Sequence, residues 1–111
     1  MEIYSWDQIP KEDVSPLLTR QMIHTPDMTI LRVTFKQGAI VPQHQHPHEQ
    51  ITMPAQGALR IELEGKEIIL RAGEVLRIPS NAPHLVEALE DSVGIELFTP
   101  AREDWKKLSN V

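Results

Sequence analysis

Short runs of alternating apolar and polar residues, cut by turn formers about every eight to twelve positions, dominate the sequence from Thr29 onward. Leu31, Val33 and Phe35 share one parity, and Arg32, Thr34 and Lys36 hold the other. A period of two is the mark of a strand with one face in the core. Gly38 ends that run. Leu59, Ile61 and Leu63 alternate with Arg60, Glu62 and Glu64, Glu64-Gly65-Lys66 reads as a tight hairpin, and Ile68-Ile69-Leu70 lead out of it. Arg71-Ala72-Gly73 turns the chain again. Val75 to Ile78 form a short strand closed by Pro79, and His84 to Leu89 and Val93 to Phe98 supply two more. Pro54 interrupts the strand after Gln50, which predicts a sheet edge or a bulge, because proline cannot donate to a central ladder. Only Arg102 to Leu108 reads as helix: it follows Thr99-Pro100, with Glu103 and Asp104 early and Lys106 and Lys107 late, as the helix dipole favours. The pattern is all-β, a small antiparallel barrel with a short C-terminal helix.

A chain of 111 residues makes one domain. Residues 1–26, interrupted by Pro10, Pro16 and Pro26 and without a sustained apolar period, read as an irregular N-terminal arm and edge segment. Residues 27–99 are expected to form the barrel, and 100–111 the helix and tail. Eleven basic against sixteen acidic residues leave a net charge of −5, which argues against a nucleic-acid partner. The absence of cysteine excludes disulfide, zinc-thiolate and thiol-nucleophile chemistry. No basic, apolar leader opens the chain and no run is long enough to span a bilayer, so a soluble, cytoplasmic protein with no membrane partner is expected. Consecutive Ile68, Ile69 and Leu70 force apolar side chains onto both faces of their strand. With Ile3, Tyr4, Trp6 and Ile9 available to cover a neighbour's sheet edge, a homodimer is expected.

Three of the five histidines fall within five residues, in Gln43-His44-Gln45-His46-Pro47-His48-Glu49-Gln50. Residues two apart on an extended segment share a face, so His44 and His46 can present two imidazoles to one ion. Taken alone, such a pair is equally an ordinary solvated loop. A carboxylate is the better metal ligand, which favours Glu49. An extended chain, however, gives Gln50 the parity of His44, and Pro47 weakens that inference. His48 shares the parity too and is expected at the rim or behind the ligands. His24 reads as a plain surface histidine.

The spacing extends well beyond this cluster. Gly38 precedes His44 by five intervening residues, His46 precedes Gln50 by three, and Gly57 follows after six. Further on come Gly73, Pro79 after five residues, Asn81, and His84 after two more. Over roughly residues 28–99 this two-part pattern resembles the cupin family. Gln50 stands where most cupins carry Glu, Asn81 where they carry Gly, and Ala88 where they carry Asn. The resemblance implies a double-stranded β-helix, or jelly-roll, barrel holding one divalent transition metal such as Zn, Ni, Fe or Mn on His44, His46, Gln50 and His84. That ligand set is neutral and leaves the ion its full charge, which favours an anionic substrate and a Lewis-acid role.

Near the C-terminal end, Glu96 and Phe98 share one strand face and Ile95 and Leu97 the other. Alternation alone slightly favours Glu96 in water, because an interior carboxylate is costly without a partner or a task. The run His44 to Thr52, with Phe98-Thr99-Pro100 and Arg102-Glu103-Asp104, resembles the pectin-degradation cupins, which linearise unsaturated monouronates cut from pectin and alginate. That likeness puts Glu96, Phe98 and Arg102 in the pocket as catalytic residues. The family's usual Asp is one methylene shorter than Glu96, and Met53-Pro54-Ala55 departs from the family's aromatic–aliphatic strand. Arg102 is otherwise an ordinary first-turn helix residue, although its planar fork suits a carboxylate. The expected function is thus a metal-dependent, redox-neutral enzyme acting on a small sugar acid. Alternatives are an Fe(II) dioxygenase on the same histidines, or a binding protein for a small acid without turnover.

Overall fold

The computed structural model describes residues 1–109. A 3-10 turn at Trp6–Gln8 precedes β1 (Glu12–Ser15), β2 (Leu18–His24), β3 (Thr29–Phe35), β4 (Ile40–His44) and β5 (Glu49–Gln56). Then follow β6 (Ala58–Leu63), β7 (Lys66–Arg71), β8 (Leu76–Ile78), β9 (His84–Ala88), β10 (Ser92–Thr99) and the helix α1 (Glu103–Ser109). The strands form two antiparallel sheets, ordered β1-β2-β3-β10-β5-β8 and β4-β9-β6-β7, with one core between them. Inward residues of both sheets meet there: Leu31, Val33 and Phe35 from one, Leu59, Ile61 and Val86 from the other. This is the all-β architecture with a terminal helix that the alternation and turn spacing predict, in the jelly-roll form that the cupin resemblance implies. Among the described residues no helix is long and apolar enough to cross a membrane.

The first 26 residues are more ordered than their pattern predicts. β2 pairs along its whole length with β3, from Leu18 opposite Phe35 to His24 opposite Thr29. Its alternation is hidden because both faces are covered. Leu18 and Met22 pack into the core, while on the outer face Gln21 is buried and its side-chain amide donates to the carbonyls of Trp6 and Ile9 at 2.7 and 2.9 Å. The arm is thereby pinned to its own sheet at Trp6 and Ile9, leaving Ile3 and Tyr4 exposed. His24 is no surface residue either. It is half-buried, with Nδ1 2.9 Å from Thr29 Oγ1.

Two turns follow directly from their residues. Leu63 pairs with Lys66 across Glu64 and Gly65, both at positive φ (52° and 76°), the two-residue turn whose twist matches a hairpin. Pro54 lies past the end of β8, opposite Gly94 and beside a register shift at Val93/Gly94. This is the irregularity its missing N–H requires. Gly57 has φ +87°, and a Cβ there would stand 2.1 Å from Ser92 Oγ and 2.6 Å from Asp91 O. Gly57→Ala therefore meets backbone strain and a collision together. Its expected cost is about 2–4 kcal/mol, checked by denaturant unfolding of the purified variant.

Candidate metal centre

β4 and β9 run side by side with His44 opposite His84, so two imidazoles leave neighbouring strands at one level, ring centroids 4.2 Å apart. His46 follows in the loop after β4, its ring 5.6 Å from that of His44 and 5.1 Å from that of His84. The loop is tied down by a hydrogen bond from the Asn81 N–H to the His46 carbonyl at 2.8 Å. Asn81 itself has φ 63°, a conformation that asparagine tolerates better than most residues where a glycine is usual. One ring nitrogen from each of the three histidines lies within 4.8 Å of the other two.

The hydrogen bonds behind the rings decide what the front can do. Nδ1 of His44 meets the Pro42 carbonyl at 2.9 Å, Nδ1 of His46 the His48 carbonyl at 3.1 Å, and Nδ1 of His84 the Ala82 carbonyl at 2.8 Å. A carbonyl only accepts, so each Nδ1 carries a proton, which in a neutral ring leaves the lone pair on Nε2. Burial, reinforced by the positive charge of Arg102, pushes His46 down to about 4, and burial lowers His84 as well. Both rings are therefore neutral at pH 7. Nε2 of His84 is buried with no hydrogen-bond partner among the described residues.

Gln50 faces the same point from the opposite sheet. Its Nε2 donates to Thr52 Oγ1 at 3.0 Å and to Glu96 Oε1 at 3.2 Å, which turns its amide oxygen toward His46. That oxygen and the His46 Nε2 lone pair are 3.0 Å apart. Two acceptors at this distance repel unless a cation or a proton lies against both, and His46 is a poor base. The three imidazole nitrogens thus fit a divalent ion, and the Gln50 amide oxygen lies beside one of them. Glu49, the competing ligand on the sequence, is turned outward and accepts from Arg77 Nε at 2.7 Å.

Glu96 lies inside. β10 sets Glu96 opposite Thr52 and Phe98 opposite Gln50, so these four side chains share the inward face. Its Oε1 accepts from Gln50 and, at 3.4 Å, from the Thr52 hydroxyl. Burial pushes the Glu96 carboxyl up to about 7, against the pull of Thr52, Arg102 and Gln50. Arg102 is buried just before α1. Its backbone N–H donates to Thr29 Oγ1 at 2.9 Å, and Nε and Nη2 reach the two oxygens of Asp104 at 3.1 and 2.9 Å. The guanidinium stacks over Trp105 at 3.6 Å and over Phe98 at 5.0 Å.

His44, Gln50, His84, Glu96, Phe98 and Arg102 all line one cavity of about 380 Å³ in the barrel. This is the size of site that takes a small metabolite. His46 does not line it, although its ring lies 5.6 Å from that of Phe98. His48 lies beside His46 and lines a separate outer opening with Pro100 and Arg102. Three residues that bear on the site escape the sequence reading. Thr52 shares the parity of Gln50, and that signal was available. Arg20 and Trp105 line the same cavity without any motif of their own.

A family model described as cupin domain matches residues 31–99. The pectin degradation protein KdgF of Dickeya dadantii (strain 3937) is 34% identical over 102 residues, covering 89% of this chain and 93% of that protein. Among solved structures, KdgF from Halomonas sp. is 38% identical with a TM-score of 0.88, covering 94% of this chain and 99% of its own. An RmlC-like cupin from Shewanella frigidimarina NCIMB 400 is 28% identical with a TM-score of 0.87, covering 95% and 96%. Fold, motif spacing and relatives agree: the chain belongs to the cupin family.

Proposed function

We propose that this protein is a metal-dependent, redox-neutral enzyme that linearises unsaturated monouronates released from pectin or alginate. The observation that carries the reading is Glu96, a carboxyl buried in the same cavity as an arginine and two histidines of a three-histidine cluster. The likeness to two proteins named KdgF, one of them a pectin degradation protein, supports the substrate class. His44, His46, Gln50 and His84 would hold a divalent ion, which would supply Lewis-acid polarisation of a substrate oxygen. Arg102 binds the uronate carboxylate, held in place from behind by Asp104 and Thr29. Phe98 packs on the sugar ring. Glu96 moves a proton between substrate atoms, its Oε1 steadied by Gln50 and Thr52. The product is the linear keto form, and the enzyme works on this solute in the cytoplasm.

Incubation with unsaturated galacturonate tests the reading. Loss of its double-bond ultraviolet absorbance without oxygen uptake is expected, and oxygen uptake with the uronate untouched would replace it by a dioxygenase. Arg102→Ala should raise KM about ten- to a hundredfold, the worth of a charge-assisted hydrogen bond, at unchanged metal content. Two copies are proposed to pair through outer apolar residues such as Ile69, which is 47% exposed on the edge strand β7. A dimeric mass by light scattering at micromolar concentration is expected.

A further inference from the structure

Arg20 stands on the inward parity of β2, between Leu18 and Met22 and opposite Val33 of β3. A charged side chain at such a position costs the fold unless its donors are matched. The match here is incomplete. Nη2 donates to Glu12 Oε1 at 3.1 Å, from directly across on β1, and that carboxylate is half exposed at the sheet edge. The Nε–H is buried and has no hydrogen-bond partner among the described residues. Arg20 lines the same cavity as His44, His84, Glu96 and Arg102. Its guanidinium carbon lies 4.8 Å from the Trp105 ring centroid, and that of Arg102 lies 3.6 Å from the same centroid. Two guanidiniums therefore converge on one indole, each held on its outer side by an exposed carboxylate, Glu12 or Asp104.

We propose that Arg20 is a second anchor for the substrate carboxylate, its unpartnered Nε–H donating to one carboxylate oxygen while Arg102 takes the other. This rests on the sugar-acid reading above and narrows it: a neutral sugar offers no carboxylate to the Arg20 Nε–H, so the cavity selects the acid over its neutral counterpart. Glu12 holds Arg20 in the free protein and competes with the substrate for it. Arg20 is on this view a specificity-determining residue, and its buried donor is the part of the cavity that waits for an anion.

The test is NMR titration of D-galacturonate and of D-galactose, its neutral counterpart, into zinc-loaded wild type, R20Q, R20K and E12Q. R20Q should bind galacturonate about ten- to a hundredfold more weakly, the worth of one charge-assisted hydrogen bond, with galactose unchanged. E12Q should bind galacturonate about two- to fivefold more tightly, because an exposed ion pair that competes is gone. A purely structural Arg20–Glu12 pair would move binding in E12Q down or not at all. Equal losses for both sugars in R20Q, or none for galacturonate, would overturn the assignment and leave the sugar-acid reading standing. A wild type with no preference for galacturonate would overturn both. Should R20Q fail to fold, R20K at wild-type affinity together with no gain in E12Q would be the disproof.

Discussion

His44→Ala combined with His46→Ala is expected to abolish metal binding and leave the barrel folded. Two of the four converging donors disappear, and the survivors, His84 and Gln50, sit on different sheets with a gap where His46 stood. The fold itself is centred elsewhere. Leu59, Ile61 and Ile78 are fully buried, and the bulk of the stability comes from apolar area of this kind. His44 is exposed and contributes little to that core. A ligand that binds only the native state adds about 2.7 kcal/mol at a hundred times its Kd. Wild-type melting temperature should therefore rise with added Zn²⁺ or Ni²⁺ and fall back on chelation, whereas the double variant should melt at one temperature throughout. Metal content by mass spectrometry completes the experiment. A variant that still carried one ion per chain would remove His44 and His46 from the site.

Glu96→Gln should lower kcat by about two to four orders of magnitude, the usual worth of a positioned acid or base, while metal content and substrate binding stay close to wild type. The substitution is conservative in shape. The glutamine carbonyl oxygen can occupy the place of Oε1 and keep accepting from Gln50 Nε2 and Thr52 Oγ1, so the Gln50 amide oxygen remains aimed at His46. What is lost is proton affinity alone. Equal falls in kcat and kcat/KM on unsaturated galacturonate would place the defect in the chemical step. Wild-type turnover would remove Glu96 from the chemistry and make it a structural partner of Gln50.

The fold was legible where one strand face was wet. β3 and β6 alternate cleanly because Arg32, Thr34, Arg60 and Glu62 look away from the core, and Glu64-Gly65 declares its own turn. β2 stayed hidden because the arm covers its outer face at Gln21, so two covered faces erase the period, and because Arg20 breaks the apolar run on the inner one. The histidines were legible through the two-part spacing shared with the cupin family, and His44, His46 and His84 do come together from adjacent strands and a short loop. Gln50 against Glu49 was harder: the loop through Pro47 scrambles parity, and only the register of β5 on β8 and β10 turns Gln50 inward. For Glu96 the pattern leaned the wrong way, toward water, whereas the side chain is buried. Its strand carries Ile95 and Leu97 on one face and Phe98 on the other, so either face would serve as core.

That ambivalence of β10 has an evolutionary side. An apolar residue at position 96 would satisfy the barrel better than a carboxyl pushed up to about 7 by burial. Under the proposed proton-transfer role of Glu96, heat resistance and turnover are at odds at this position. Variants of this chain selected for thermostability alone would drift toward leucine or methionine at 96, and the most durable barrel reachable from this sequence would be an inert one.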